Sequence, residues 1–166
     1  DTATGKERWR HVISPATGAY NGCTVNPVTG DIYFGSSASG LIALTSDGNV
    51  KWSSSDVGVK KQTSFPAVSA DGNTVFAHDA SGKVTAINAV TGAKIWQTSV
   101  AGKGGGLLVN AAELIVGCNA MEKAVAFLNS SDGSVIATVD LPDKMSDASG
   151  FAVSGDRKTA YLGTVT

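Results

Sequence analysis

Charge of either sign is scarce in this chain, and so are cysteine, proline and histidine. Of 166 residues only 16% are charged, with 13 Lys and Arg against 14 Asp and Glu. A balance so near zero leaves no basic footprint for nucleic acid or an anionic membrane surface. No apolar run is long enough to span a bilayer, and the first residues show no signal-sequence pattern. The two histidines, His11 and His78, have no second ligand at a recognised spacing, so neither a metal site nor a nucleophilic triad can be built on them. The two cysteines, Cys23 and Cys118, occupy non-equivalent places in the pattern described next, which favours two thiols over a disulfide. Asp1, standing where an initiator Met would be, fits a mature secreted product, a proteolytic piece or the traced part of a longer chain.

What is present is a repeat. The stretch Ala86 to Trp96 reads as a hairpin: a β-prone run, a Thr91-Gly92 pair for the turn, and a second run ending in a large aromatic. Weaker copies turn at Thr4-Gly5, Asp47-Gly48 and Asp132-Gly133. The intervals between the four glycines are 43, 44 and 41 residues. A period of that size, with short β runs in every copy and a 42% apolar fraction, predicts an all-β fold of four-stranded propeller blades.

The blades are expected at about 21–52, 63–99, 104–139, and 149–166 joined with 1–12. In the first, the strands are Cys23 to Val25, Asp31 to Gly35, Leu41 to Leu44 and Val50 to Trp52. The second has Ala67-Val68, Thr74 to Ala77, Val84 to Ile87 and Lys94 to Thr98. In the third, Leu107 to Val109, Glu113 to Gly117, Ala124 to Leu128 and Ser134 to Val139 follow the same order, with Ala137 where the others carry tryptophan. The fourth opens with Phe151 to Val153 and Thr159 to Gly163; Lys6 to Val12 is assigned as its last strand, leaving its third strand missing. Propellers close by pairing strands from the two chain ends, which hides the sheet edges. With one strand short, a segment of a ring of six to eight blades is the favoured architecture. A four-bladed ring and self-associated half-rings are the alternatives.

The residues Asp1-Thr-Ala-Thr-Gly-Lys-Glu-Arg-Trp9, Ile32-Tyr-Phe-Gly-Ser36, Gly40-Leu-Ile-Ala-Leu44 and Gly48-Asn-Val-Lys-Trp52 resemble the repeat of the quinoprotein-type, or PQQ-like repeat, β-propeller family. The resemblance covers nearly the whole chain. It implies that Trp9, Trp52 and Trp96 dock between neighbouring blades as structural wedges, and burial of an indole agrees with that role. Ala137 then implies a thinner contact at its junction. The repeat speaks for the fold more than for the cofactor, because many proteins carrying it bind no quinone.

Pyrroloquinoline quinone with calcium requires a carboxylate base and an oxygen-rich shell converging on the ring centre. Asp31, Asp47, Asp71, Asp132 and Asp156 instead sit in turns, where Asp belongs for backbone reasons. The adjacent-cysteine pair that marks many quinone enzymes is absent. His78 and Asp79, at a strand end beside a loop, are candidate rim-binding residues, with a solvated loop pair as the plainer reading. Gly102-Lys103-Gly104-Gly105-Gly106 reads as a flexible connection, since no helix follows to form a phosphate cradle. Asn129-Ser130-Ser131 matches the glycosylation acceptor pattern within a turn.

The functional expectation is a non-catalytic propeller scaffold binding a protein or glycan partner through rim loops, with no cofactor and a lean towards a periplasmic or extracellular setting. A fragment of a quinone-dependent oxidoreductase and a lectin-like propeller are the alternatives. The loops Ser53 to Thr63, Val100 to Gly106 and Leu141 to Ser149 differ in length and composition, which favours one irregular surface over repeated sugar pockets.

Overall fold

In the computed structural model, the residues described are 1–12, 22–36, 40–54, 65–79, 81–100, 106–110, 113–117, 124–140, 151–156 and 158–162. Among them there is no helix, and fourteen strands form three four-stranded antiparallel sheets and one of two strands. Unit I contains β1 (Cys23–Val25), β2 (Ile32–Ser36), β3 (Gly40–Leu44) and β4 (Val50–Ser53). Unit II contains β5 (Ala67–Val68), β6 (Thr74–His78), β7 (Lys83–Asn88) and β8 (Lys94–Ser99). Unit III contains β9 (Leu107–Asn110), β10 (Glu113–Gly117), β11 (Ala124–Asn129) and β12 (Val135–Asp140). The last sheet pairs β13 (Phe151–Val153) with β14 (Ala160–Leu162).

Each complete sheet is a meander in which strand order follows chain order, as short turns dictate. The turn between the first two strands has one design in three units. Ser69 N donates to Thr74 O while Ser69 Oγ donates to Asp71, and Ser154 repeats both bonds with Thr159 and Asp156. In unit I, Asn26 holds the corresponding place and donates its N–H to Asp31 O.

The turn between the third and fourth strands is also repeated. Asn88 Oδ1 accepts from Val90 N and Thr91 N, closing an Asx turn around Gly92, whose φ is 74°. Asp1 does the same for Ala3 N and Thr4 N ahead of Gly5. Just inside this turn every complete sheet shifts register, between Ala43/Leu44, Ala86/Ile87 and Phe127/Leu128. A bulge at one fixed place aims the fourth strand the same way in each unit.

The third strand of unit I reads as a continuous apolar run because both of its faces are covered; all five residues of β3 are buried. One cluster between units I and II joins Tyr33, Leu41, Ala43 and Trp52 to Val75, Ala77, Ile87 and Ala89. A second, between II and III, joins Phe76, Val84 and Ala86 to Ala126 and Leu128, with Trp96, Leu107 and Val109 alongside. Each sheet therefore presents one face backwards and one forwards, and the innermost strands β1, β5, β9 and β13 are neighbours in turn. This is a β-propeller arc, and its sheets do not close into a ring.

Lys6 to Val12 forms no strand among the described residues. A fourth strand needs a third to pair with, and no described strand lies beside it; the segment is held through Trp9 on unit I instead.

Candidate functional site

The side chains that join the units position the rest of the arc. Trp9, Trp52 and Trp96 each reach the third turn of the following unit: their Nε1 atoms donate to Ser46 O (2.9 Å), Ala89 O (3.0 Å) and Ser130 O (3.1 Å). Their rings close on Gly48, Gly92 and Gly133 so tightly that a Cβ there would lie 2.7, 2.8 and 2.5 Å from ring or neighbouring atoms. The glycines thus serve both the positive φ of the turn and the seat of the preceding tryptophan.

Units I and II have a second junction, which is polar. Asn26 Nδ2 donates to Gly72 O (2.8 Å) and lies 3.3 Å from the Tyr33 hydroxyl, while that hydroxyl donates to Ala89 O. Burial pushes the Tyr33 phenol above its ordinary value, opposed by the Asn26 hydrogen bond. Asp31, itself buried, takes a 2.6 Å ion pair from Lys51. Asn26 and Tyr33 thus tie unit I to Gly72 and Ala89 of unit II, while the Asp31–Lys51 pair braces unit I itself.

His78 and Asp79 are not on an accessible rim. Both are buried, at 0% and 2% exposure. Asp79 Oδ1 accepts from Ser81 N, Ser81 Oγ and Lys83 N, so its carboxylate closes the turn after β6. A polar pair at a strand end reads as rim from sequence alone; here the hairpin folds over it. His11 lies in the half-buried part of the N-terminal segment.

The acidic turn residues are equally occupied. Asp71, Asp132 and Asp156 accept from Ser69, Ser134 and Ser154, and those hydroxyl bonds hold each carboxyl below its usual range. With Asp31 on Lys51 and Asp79 in its turn, these carboxylates do not converge, and no group of three or more His, Cys, Asp or Glu among the described residues is placed to hold a metal ion. The described residues therefore do not fit a quinone with calcium. Cys23 is an exposed free thiol, and Cys118 lies outside the described residues.

Among the described residues, a cleft of about 370 Å³ opens where three innermost strands end. It is lined by Val68 on β5 and Ala70 after it, Leu108, Val109 and Asn110 on β9, and Val153 on β13 with Ser154 and Gly155 after it. Three successive units contribute, so no single blade motif in the sequence announces it. The rim loops Ser53 to Thr63, Val100 to Gly106 and Leu141 to Ser149 fall almost wholly outside the described residues.

With the repeat, the docked tryptophans and the meander sheets in view, the family is decided by a match of residues 1–145 to the model described as outer membrane protein assembly factor BamB. The chain belongs to this PQQ-like repeat family. Among solved structures it is similar to BamB from Moraxella catarrhalis, at 16% identity and a TM-score of 0.70, covering 88% of this chain and 43% of that one. Two further likenesses are the RRP9 WD40 repeats (14%, TM-score 0.65, 75% and 39% covered) and a chain of a mitotic checkpoint complex (12%, 0.74, 86% and 45%). At these identities the likeness is one of fold, and the chain spans less than half the length of each. Among curated proteins none matches the chain by sequence. No helix among the described residues is long and apolar enough to cross a membrane.

Proposed function

We propose that this BamB-type propeller arc is a non-catalytic scaffold that holds a protein partner as an extended peptide segment in the cleft between β5, β9 and β13. The observation that carries this reading is the lining itself: aliphatic Val68, Leu108, Val109 and Val153 beside the amide of Asn110 and the hydroxyl of Ser154. Such a surface buries alternate apolar side chains and meets main-chain polar groups. None of its described lining residues is aromatic, whereas sugar sites stack on aromatic faces, so the peptide is preferred to the glycan. The description of the family as an outer membrane protein assembly factor supports a protein partner and a periplasmic setting.

Panning a displayed peptide library on the chain tests this, with counter-selection on Leu108→Arg and Ala70→Arg. Peptides that bind the wild type and lose about tenfold or more in affinity on either variant support the cleft, a change of about 1.4 kcal/mol. Peptides that bind all three proteins equally, or retention of glycans on an array with no peptide enriched, overturn it.

A further inference from the structure

The innermost strand of every unit carries a valine at one fixed place. Val25, Val68, Val109 and Val153 stand opposite Ile32, Val75, Leu114 and Ala160, and the next residue is Asn or Ser each time: Asn26, Ser69, Asn110 and Ser154. Where the bond is formed by Asn26, Ser69 and Ser154, that next residue closes the ladder, its N–H donating to the carbonyl of Asp31, Thr74 and Thr159 in turn. Bonded and non-bonded pairs alternate along an antiparallel ladder, so the valine before it turns its own N–H and C=O the other way, out of the sheet and towards the propeller axis. Val109 shares this register on β9, and Leu107, two residues earlier, turns with it.

Val68, Val109 and Val153 all line the cleft. Of the three strands, β9 stands in the middle and borders the cleft with consecutive residues, Leu108, Val109 and Asn110. Side chains of a strand alternate between its two faces, so a wall of consecutive residues is the strand's edge. No described strand pairs with that edge, because β9 is the last strand of its sheet. An innermost strand offers this edge to the axis in a propeller of any blade number.

We infer that the partner segment adds to unit III as a strand antiparallel to β9, its main chain bonded to Leu107 and Val109. The inference rests on the peptide-binding reading of the cleft and fixes the register of that peptide. Leu107 and Val109 pack with the cluster shared by units II and III, so their side chains face unit II. Partner residues paired with them point the same way, onto Val68 and Ala70, and are the apolar positions. The residues between them face Ser154 and Gly155, where small hydroxyl side chains fit.

Charge sets the direction. Asp71 directly follows the lining residue Ala70, is exposed, and has no basic residue in its turn from Ser69 to Thr74. Asp156, beyond Gly155, is followed by Arg157 and Lys158, so its turn adds no net acid. These turns stand at the mouth where β9 ends, and an antiparallel strand begins there. A Lys or Arg two residues ahead of the first apolar position therefore meets Asp71.

The test titrates the acetylated, amidated peptide Lys-Thr-Val-Thr-Val-Thr-Val into the isotope-labelled chain, read by the backbone amide signals. The Leu107 and Val109 amides are expected to shift and to exchange about tenfold more slowly. N-methylation of the peptide's valines, whose N–H groups face β9, is expected to abolish binding, while N-methylation of its threonines leaves the affinity within about threefold. Val109→Pro keeps the ladder to β10, since the lost N–H lies on the open edge, and is expected to weaken the peptide about tenfold or more. The methylated peptides decide the matter independently of that variant. No binding, equal loss from both methylated peptides, or binding without change at Leu107 and Val109 overturns the edge pairing. In that event, panned peptides that still discriminate against Leu108→Arg and Ala70→Arg leave the scaffold reading in place, and panning that yields no such peptide overturns both.

Discussion

Trp52 and Gly92 belong to different units and are locked together: the indole lies so close to the glycine that a Cβ there would be 2.8 Å from Cδ2, while Nε1 holds the carbonyl of Ala89 at 3.0 Å. The tryptophan of one unit thus selects the glycine of the next, and the turn bends to receive it. Truncation of Trp52 to alanine removes a buried ring and the Nε1 bond, and is expected to lower unfolding free energy by about 3–5 kcal/mol. Urea denaturation followed by circular dichroism reads this as a lower midpoint; a loss under about 1 kcal/mol contradicts the docking role.

The same lock separates two glycines that look alike in sequence. Gly5→Ala meets only the backbone cost of a positive φ, of order 1 kcal/mol, because its Cβ enters open space. Gly92→Ala adds a clash with the Trp52 ring and is expected to cost about 1–3 kcal/mol more. Equal costs for the two variants, measured by the same denaturation, argue that the ring does not enforce the glycine.

Phe127 and Ala137 are expected to couple. Ala137→Trp alone overfills the face opposite Phe127, and Phe127→Ala alone empties it, whereas the double variant restores the small-large order of units I and II. A double-mutant cycle should return an interaction of about 0.5–3 kcal/mol in favour of the pair, and additivity within about 0.3 kcal/mol would falsify the exchange.

Stability should fall at both extremes of pH, for different residues. Asp71, Asp132 and Asp156 have folded pKa values below the ordinary 3.8, so the folded state holds their protons less tightly than the unfolded state. Their contribution is present above about pH 4 and is lost as pH drops through the depressed values. Tyr33 is raised above 10.0 by burial, so its contribution is present below pH 10 and is lost as pH rises beyond it. Melting temperatures measured from pH 2 to 11 should show a shallower acid limb in Asp71→Ala and a shallower alkaline limb in Tyr33→Phe; unchanged limbs contradict these assignments.

Asn26→Ala deletes the donor to the carbonyl of the buried Gly72 and the acceptor of the Val28 and Thr29 amides in the turn. A loss of about 1–3 kcal/mol is expected, with Asn26→Asp recovering only the acceptor half. Hydrogen exchange at Val28 and Thr29 checks it, since faster exchange in Asn26→Ala but not in Asn26→Asp isolates the turn bonds.

Local chemistry made most of the architecture legible. Alternating β runs, Asx and glycine turns and the period near 43 residues placed every strand from β1 to β14 within about a residue of its observed span, because strand pairing in a meander is a short-range matter. The tryptophans stood out for the same reason, as large residues at one repeat position. What they touch did not, since each seat lies in the following unit.

Tertiary structure decided the rest. Lys6 to Val12 has a fourth-strand sequence and forms no strand, because a strand exists only where a neighbour supplies its ladder. His78 and Asp79 are polar in sequence and buried in space, since the β6–β7 hairpin satisfies Asp79 from its own backbone. Ala137 read as a missing wedge; only the cross-strand register shows Phe127 opposite it, and register is a property of two strands together. The cleft between β5, β9 and β13 likewise belongs to no segment, as its walls come from three units brought side by side by packing.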